Sequence, residues 1–230
     1  ISTIDKLIIF LLCVVTSIIS SYKLLLSPYL GIEDIFSWLF TFTEVLISCG
    51  LLILVSKKER PSINSRQIFL IIFLLLIVQY LKILFSNTVS PLSMIIPPAL
   101  IISQGMGTIT ALAWVSVASL SWPDSVIYFN DYIMIITLVC SCVVAVLGGK
   151  IRNRAQLLQL SIFVPFGAFL SQYIFVGNAS ISRIDNQSFF VSNGKIFSDS
   201  LLLVIILLIT ILFIPIFESV FGLLTKARLL

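Results

Sequence analysis

Enzyme chemistry needs groups that hold a proton, ligate a metal or attack an electrophile, and the 230-residue chain lacks the most versatile of them, because it contains no histidine. A His-ligated metal, an imidazole general base and the imidazole pH switch are excluded together. The four cysteines, Cys13, Cys49, Cys140 and Cys142, all lie inside apolar runs, where a thiol behaves as a small hydrophobe. Cys140 and Cys142 are only two positions apart, so on a helix they point in different directions and make neither a metal clip nor a disulfide. Gly105-Met-Gly107 lacks the following Gly, Lys and strand context of a phosphate loop. No nucleophile, base and orienting group occur together, so the sequence predicts no catalytic residue, no metal and no cofactor in this chain.

What remains is a small set of polar groups in apolar surroundings, where an ionisable side chain is costly and marks a candidate site. Glu44, in Thr41-Phe-Thr-Glu-Val-Leu46, either faces a polar cavity or ligand or has an interfacial role, near enough to pair with Lys82. Residues 89–122 carry Pro91, the pair Pro97-Pro98 and the polar break Ser103-Gln104-Gly105-Met106-Gly107. Proline removes a backbone donor, and a broken helix is tolerated in a bilayer only where protein or a water-lined cavity satisfies the freed groups. Glu44, Gln104, Pro97 and Pro98 are therefore the ligand-binding candidates, with plain packing through small and hydroxyl residues as the alternative for the broken region. Lys82 is expected to snorkel to the nearer boundary, and Glu218 to pair with Lys226 or Arg228. Trp38, Trp114 and Trp122 read as interface anchors.

The elements that must position these groups follow from composition. With 59% hydrophobic and only 10% charged residues, the chain falls outside the soluble globular class. A hydrocarbon core of roughly 30 Å needs about 20 apolar residues at a helical rise of about 1.5 Å, and residues 7–26, 36–56, 68–86, 132–149, 157–176 and 201–221 each meet that length. The region 89–122 is too long for one span and short for two. Basic residues decide its form, because cytoplasmic loops are enriched in Lys and Arg. Three clusters exist: Lys57-Lys58-Glu59-Arg60 with Arg66, Lys150 with Arg152 and Arg154, and Lys226 with Arg228. A helical hairpin over 89–122 puts all three on one side, whereas one broken span puts the Lys150 cluster opposite the Lys57 cluster.

The expectation is therefore an all-α polytopic membrane bundle of eight crossings with both termini cytoplasmic: an N-terminal transmembrane helix and short outer link over 1–35, and a seven-helix domain over 36–230. Within the longest outer loop, 188–197 reads as two strand-like pieces about the Asn193-Gly194 turn, a small surface hairpin. The bilayer is the expected partner, nucleic acid is not, and a homo-oligomer is left open. The opening Ile1 and the ending at Leu230 read as a piece of a longer chain.

The order of parts then resembles a known family. It runs from the helix 36–56 through the basic link Lys57-Lys-Glu-Arg-Pro-Ser-Ile-Asn-Ser-Arg66, a second helix and the Pro-rich hairpin. A helix ending Gly148-Gly-Lys-Ile-Arg-Asn-Arg154 follows, and the close is Pro215-Ile-Phe-Glu-Ser-Val-Phe-Gly-Leu-Leu-Thr-Lys-Ala-Arg-Leu-Leu230. This is similar to the bacterial seven-transmembrane HD phosphohydrolases, whose last span passes through Pro-x-x-Glu-x-x-Phe-Gly-x-x-Thr-x-x-Arg-Leu-Leu into a cytoplasmic HD domain. Pro215, Glu218, Phe221, Gly222, Thr225, Arg228, Leu229 and Leu230 match that pattern; the first six form the expected signal neck. The resemblance implies an N-terminal helix, an extracytoplasmic domain, seven spans and an HD domain that hydrolyses cyclic di-AMP with metals held by His and Asp. Here residues 27–35 stand where the extracytoplasmic domain would be, so that domain is absent or excised, and a covalently linked HD domain is expected after Leu230. The implied function is a non-catalytic sensor or anchor in the bacterial plasma membrane, relaying an outer or in-membrane signal through the last helix. A small-solute or lipid-precursor transporter and a ligand-free scaffold are the alternatives.

Overall fold

The computed structural model describes residues 3–25, 32–61, 63–85, 89–121, 131–151, 153–181 and 186–221. Eight α-helices make up almost all of them: α1 (Thr3–Leu25), α2 (Ile32–Glu59), α3 (Ser65–Phe85), α4 (Pro91–Met106), α5 (Thr108–Leu120), α6 (Asp131–Gly148), α7 (Arg154–Ile181) and α8 (Asn186–Phe221). Helix is the form an apolar chain must take in lipid, because every backbone donor and acceptor is then satisfied within its own segment. Five of the helices are long and apolar enough to cross a membrane, and α4, α5 and the apolar part of α6 are shorter. Large apolar side chains point outward along the bundle, among them Phe40 (71% exposed) and Leu212 (76%). Water would not tolerate apolar surface on that scale, whereas acyl chains do.

Helix directions follow from which ends meet. Ser65, at the start of α3, donates to Asp5 at the start of α1, and Arg60, just past α2, donates to Gly105 near the end of α4. At the opposite end of α3, Gln79 and Lys82 both reach Ser121, which follows α5. Helix α4 thus runs from the far end to the Arg60 end, and α5 runs back. Residues 89–121 form the antiparallel hairpin that the charge layout demands, with Gly107 (φ +114°) at its reversal. A left-handed residue between two helices is a place for glycine, which has no Cβ to clash. Gln104 contacts Gly148, so α6 ends and α7 begins at that same end. Among the described residues Lys6, Lys57, Lys58, Arg60, Arg66, Lys150 and Arg154 gather there, at the basic end of the bundle. Lys226, Arg228 and Arg152 lie outside the described residues.

Helix α4 is the wall around which the rest is built, and every one of its residues is buried. Met94, Ile95, Ala99, Ile101, Ile102 and Met106 face a cluster made mainly by α2, α3 and α5, with Ile9 and Cys13 of α1. Leu92, Ile96 and Leu100, spaced four apart on the other face, join Leu157, Leu160 and Val164 of α7 and Leu203, Leu207 and Ile214 of α8. A helix apolar all round is buried all round.

Two expectations are corrected. Residues 188–197 lie within α8, not in a strand hairpin. A two-residue Asn-Gly turn needs positive φ at both positions, yet among the described residues only Gly107 has one. A lone two-stranded hairpin is marginal, while extending the apolar helix that follows satisfies the same backbone groups internally. Trp114 is not an interface anchor: it is wholly buried and its indole donates to Ile71 O at 3.1 Å. Trp122 lies outside the described residues.

Candidate functional site

The densest polar geometry sits where α2, α4, α5 and α6 meet at the basic end. Both α4 and α5 are short, 16 and 13 residues, so their ends lie within the protein and their unpaired backbone groups need protein partners. Glu59 supplies them for α5: one carboxylate oxygen accepts from Thr110 N at 2.7 Å and from Thr110 Oγ1 at 2.6 Å. Its neighbour Arg60 donates to Gly105 O at 2.9 Å, near the end of α4. The signs match the helix dipoles, negative charge at an N-terminus and positive at a C-terminus. At the other end of α5 the buried Lys82 ammonium donates to Ser121 O at 3.0 Å, and Gln79 donates to the Ser121 hydroxyl. Lys82 is only 3% exposed, so the expected snorkelling is replaced by a buried cap: the short α5 leaves a carbonyl within reach, and an ammonium satisfies it.

Gln104 completes the junction. Its amide donates to Gly148 O, and to Ile151 O at 3.5 Å, taking up free carbonyls at the end of α6. Gly148 and Gly149 allow the approach, since a Cβ on Gly148 would meet Ser103 Oγ and one on Gly149 would meet the Thr108 methyl. A Cβ on Gly107 would stand 2.5 Å from Glu59 Oε1. The charged caps Glu59, Arg60 and Lys82 were not among the sequence candidates. The available signal was the lone acid inside Lys57-Lys58-Glu59-Arg60 and the lone cation late in α3.

The structure does not bring the ligand-binding candidates into one place. Gln104 is in the basic-end junction, 2% exposed, and its Oε1 has no partner among the described residues. Pro97 and Pro98 are buried two turns away, midway along α4. Glu44 is half-buried on α2, well away from the basic end, with no hydrogen-bond or ion-pair partner among the described residues. None of these four lines the principal cavities, which lie at the basic end of α1, α3 and α8, between α6 and α7, between α7 and α8, and between α1 and α2.

Of the neck residues, Pro215, Glu218 and Phe221 close α8, while Gly222, Thr225 and Arg228 lie outside the described residues. Helix α8 changes partners at Pro215. Leu203, Leu207 and Ile214 belong to the cluster shared with α7, whereas Phe217 and Phe221 stack on each other at 6.1 Å and pack against the opposite cluster. Phe221 and Val220 there line a cavity of about 360 Å³ with Asp5 of α1 and Ser65, Arg66 and Phe69 of α3. Glu218 is buried and lines a cavity of about 200 Å³ with Arg154, at the start of α7.

A bundle of this length, lipid-facing on its outside and capped by charge within, with its last helix leaving beside its first, defines a polytopic membrane protein of receptor-like design. Residues 35–225 match the family described as 7TM receptor with intracellular HD hydrolase, and the chain belongs to that family. The match spans α2 to α8, seven helices, which counts α4 and α5 separately; α1 precedes it. No curated protein and no solved structure matches the chain.

Proposed function

We propose that the chain is the non-catalytic sensor and anchor module of a membrane-bound HD-type phosphohydrolase that acts in cyclic dinucleotide signalling, with cyclic di-AMP as the substrate of the linked HD domain. The gathering of basic residues at one end supports placing that end, with both termini, in the cytoplasm of a bacterial cell. An HD domain joined after Leu230 then receives whatever α8 transmits. Assembly as a homo-oligomer belongs to the same reading.

The observation that carries it is the change of partners at Pro215. Above it α8 packs with α7; below it Phe217 and Phe221 rest on the capped side of the bundle. A ligand or bilayer condition that shifts α7 and α8 against α4 therefore alters how the neck leaves the membrane, a shift between two packings of one interface. Glu44, Gln104 with its unpartnered Oε1, and the Pro97-Pro98 break are the polar or weakened points at which an outer or in-membrane ligand would act.

The test is hydrolysis by the full-length protein in proteoliposomes of differing acyl-chain length and lipid charge. A rate that varies with the bilayer, and becomes insensitive to it in Phe217→Ala and Phe221→Ala, supports the relay. A rate indifferent to every membrane condition leaves only the anchor.

A further inference from the structure

Helices α1 and α2 face each other across a groove of about 250 Å³ that the relay does not use. On α1 it is lined by Lys6, Ile9, Phe10 and Cys13, and on α2 by Lys57, Ile53 and Gly50, with Ile68 of α3 beneath. The spacings, 6-9-10-13 and 57-53-50, are single stripes on each helix. Each stripe starts with a lysine at the basic end and turns apolar with depth. At its inner end the groove reaches Cys13. The space beside Gly50 is open, since a Cβ there would find nothing within 4 Å.

Asp5 accepts from Ser65 and Glu59 from Thr110, and neither Lys6 nor Lys57 has an ion-pair partner among the described residues. A lone snorkelling lysine needs no explanation, but two that converge over one apolar slot make a headgroup-and-chain arrangement. We propose that this groove binds a phospholipid with an anionic headgroup: its phosphate lies between the Lys6 and Lys57 ammonium groups, and one acyl chain lies over Gly50 toward Cys13. The site stands whether or not the chain relays a signal.

The test uses the full chain purified with mixed phosphatidylglycerol and phosphatidylcholine, with retained lipid read by native mass spectrometry. Lys6→Gln with Lys57→Gln is expected to lower the preference for phosphatidylglycerol about twenty-fivefold, from about fivefold per lysine near a membrane surface. Gly50→Leu, which fills the slot, is expected to remove most retained lipid of either kind while leaving the helical content unchanged. The control pair, Lys58→Gln with Lys150→Gln, keeps the same net charge as the groove pair and is expected to change the preference less than twofold. Equal loss in the control pair means a diffuse positive surface and overturns the site, as does a Gly50→Leu chain that retains lipid undiminished.

Discussion

The two sides of α4 are built differently. On the α2, α3 and α5 side, charged and polar side chains tie one helix to another: Glu59 to Thr110, Arg60 to Gly105, Lys82 and Gln79 to Ser121, and Trp114 to Ile71. On the α7 and α8 side, the hydroxyls of Ser161, Ser171, Ser200, Thr210 and Ser219 turn back to carbonyls of their own helices. Both helices carry an internal proline, Pro165 and Pro215, and wide grooves of about 500 and 360 Å³ open along them. In a bilayer the hydrophobic effect does not press helices together, because lipid tails are as apolar as leucine; packing and interhelical hydrogen bonds must hold them. The first side has both; on the second these hydroxyls add no bond between helices, and the buried Glu218 shares a cavity with Arg154. The proposed relay would use this difference, with a frame on one side and, on the other, an arm that ends in the neck.

Glycine substitutions should separate the two sides most sharply. Gly107→Ala places a side chain at φ +114° and 2.5 Å from the Glu59 carboxylate, so backbone strain and a displaced cap together should destabilise the chain by about 3 kcal/mol. Gly167→Ala, on α7, meets nothing within 4 Å and should be neutral or stabilising by up to about 1 kcal/mol through helix propensity. Reversible unfolding in mixed micelles measures both, and equal costs would dissolve the distinction between frame and arm.

Next in size are the charged caps. Glu59→Ala leaves the Thr110 N–H and hydroxyl without their acceptor, and Lys82→Met leaves Ser121 O without its ammonium; each should cost about 2 kcal/mol. Thr210→Val on α8 removes only a bond to Ile206 O of the same helix and should cost about 0.5 kcal/mol. If Thr210→Val proves as damaging as the caps, the arm is cross-linked as firmly as the frame.

How much of this was legible in the sequence follows from the same physics. Span positions were, because a bilayer imposes a length on any apolar helix, and the 89–122 hairpin was, because only it collects the basic clusters at one end. The closing motif from Pro215 to Leu230 pointed to the family. The caps were not. Glu59 and Thr110 are 51 residues apart, Arg60 and Gly105 45, Gln104 and Gly148 44, Lys82 and Ser121 39, and nothing local says which helix ends will meet. Lys82 near a span end looks like any snorkelling lysine until α5 proves too short to reach the boundary. Trp114 looks like an anchor by its depth alone, since depth does not reveal the neighbour, Ile71, that buries it. The 188–197 segment has short Phe-, Val- and Ile-bearing pieces about an Asn-Gly pair, as a hairpin would, but they are too short to outweigh the helix that follows.

The smallest expected effect on stability is the most pointed test of the comparison. Pro215 lies between Ile214, which packs with α7, and Phe217, which packs on the frame. Pro215→Ala restores a backbone donor and lets the turn straighten, and because Pro215 itself is exposed the change in unfolding free energy should stay within about 1 kcal/mol, with the gain in helix propensity largely offset by lost neck packing. The direction in which Phe221 leaves the bundle should change all the same. A spin-label pair on Phe221 and Phe69, compared before and after Pro215→Ala, reads that direction directly. A distance that widens while stability holds says that the neck is set by the bend and not by the strength of its contacts, which is what a movable arm requires; an unchanged distance says that the frame alone fixes the exit, and the arm then has nothing to transmit.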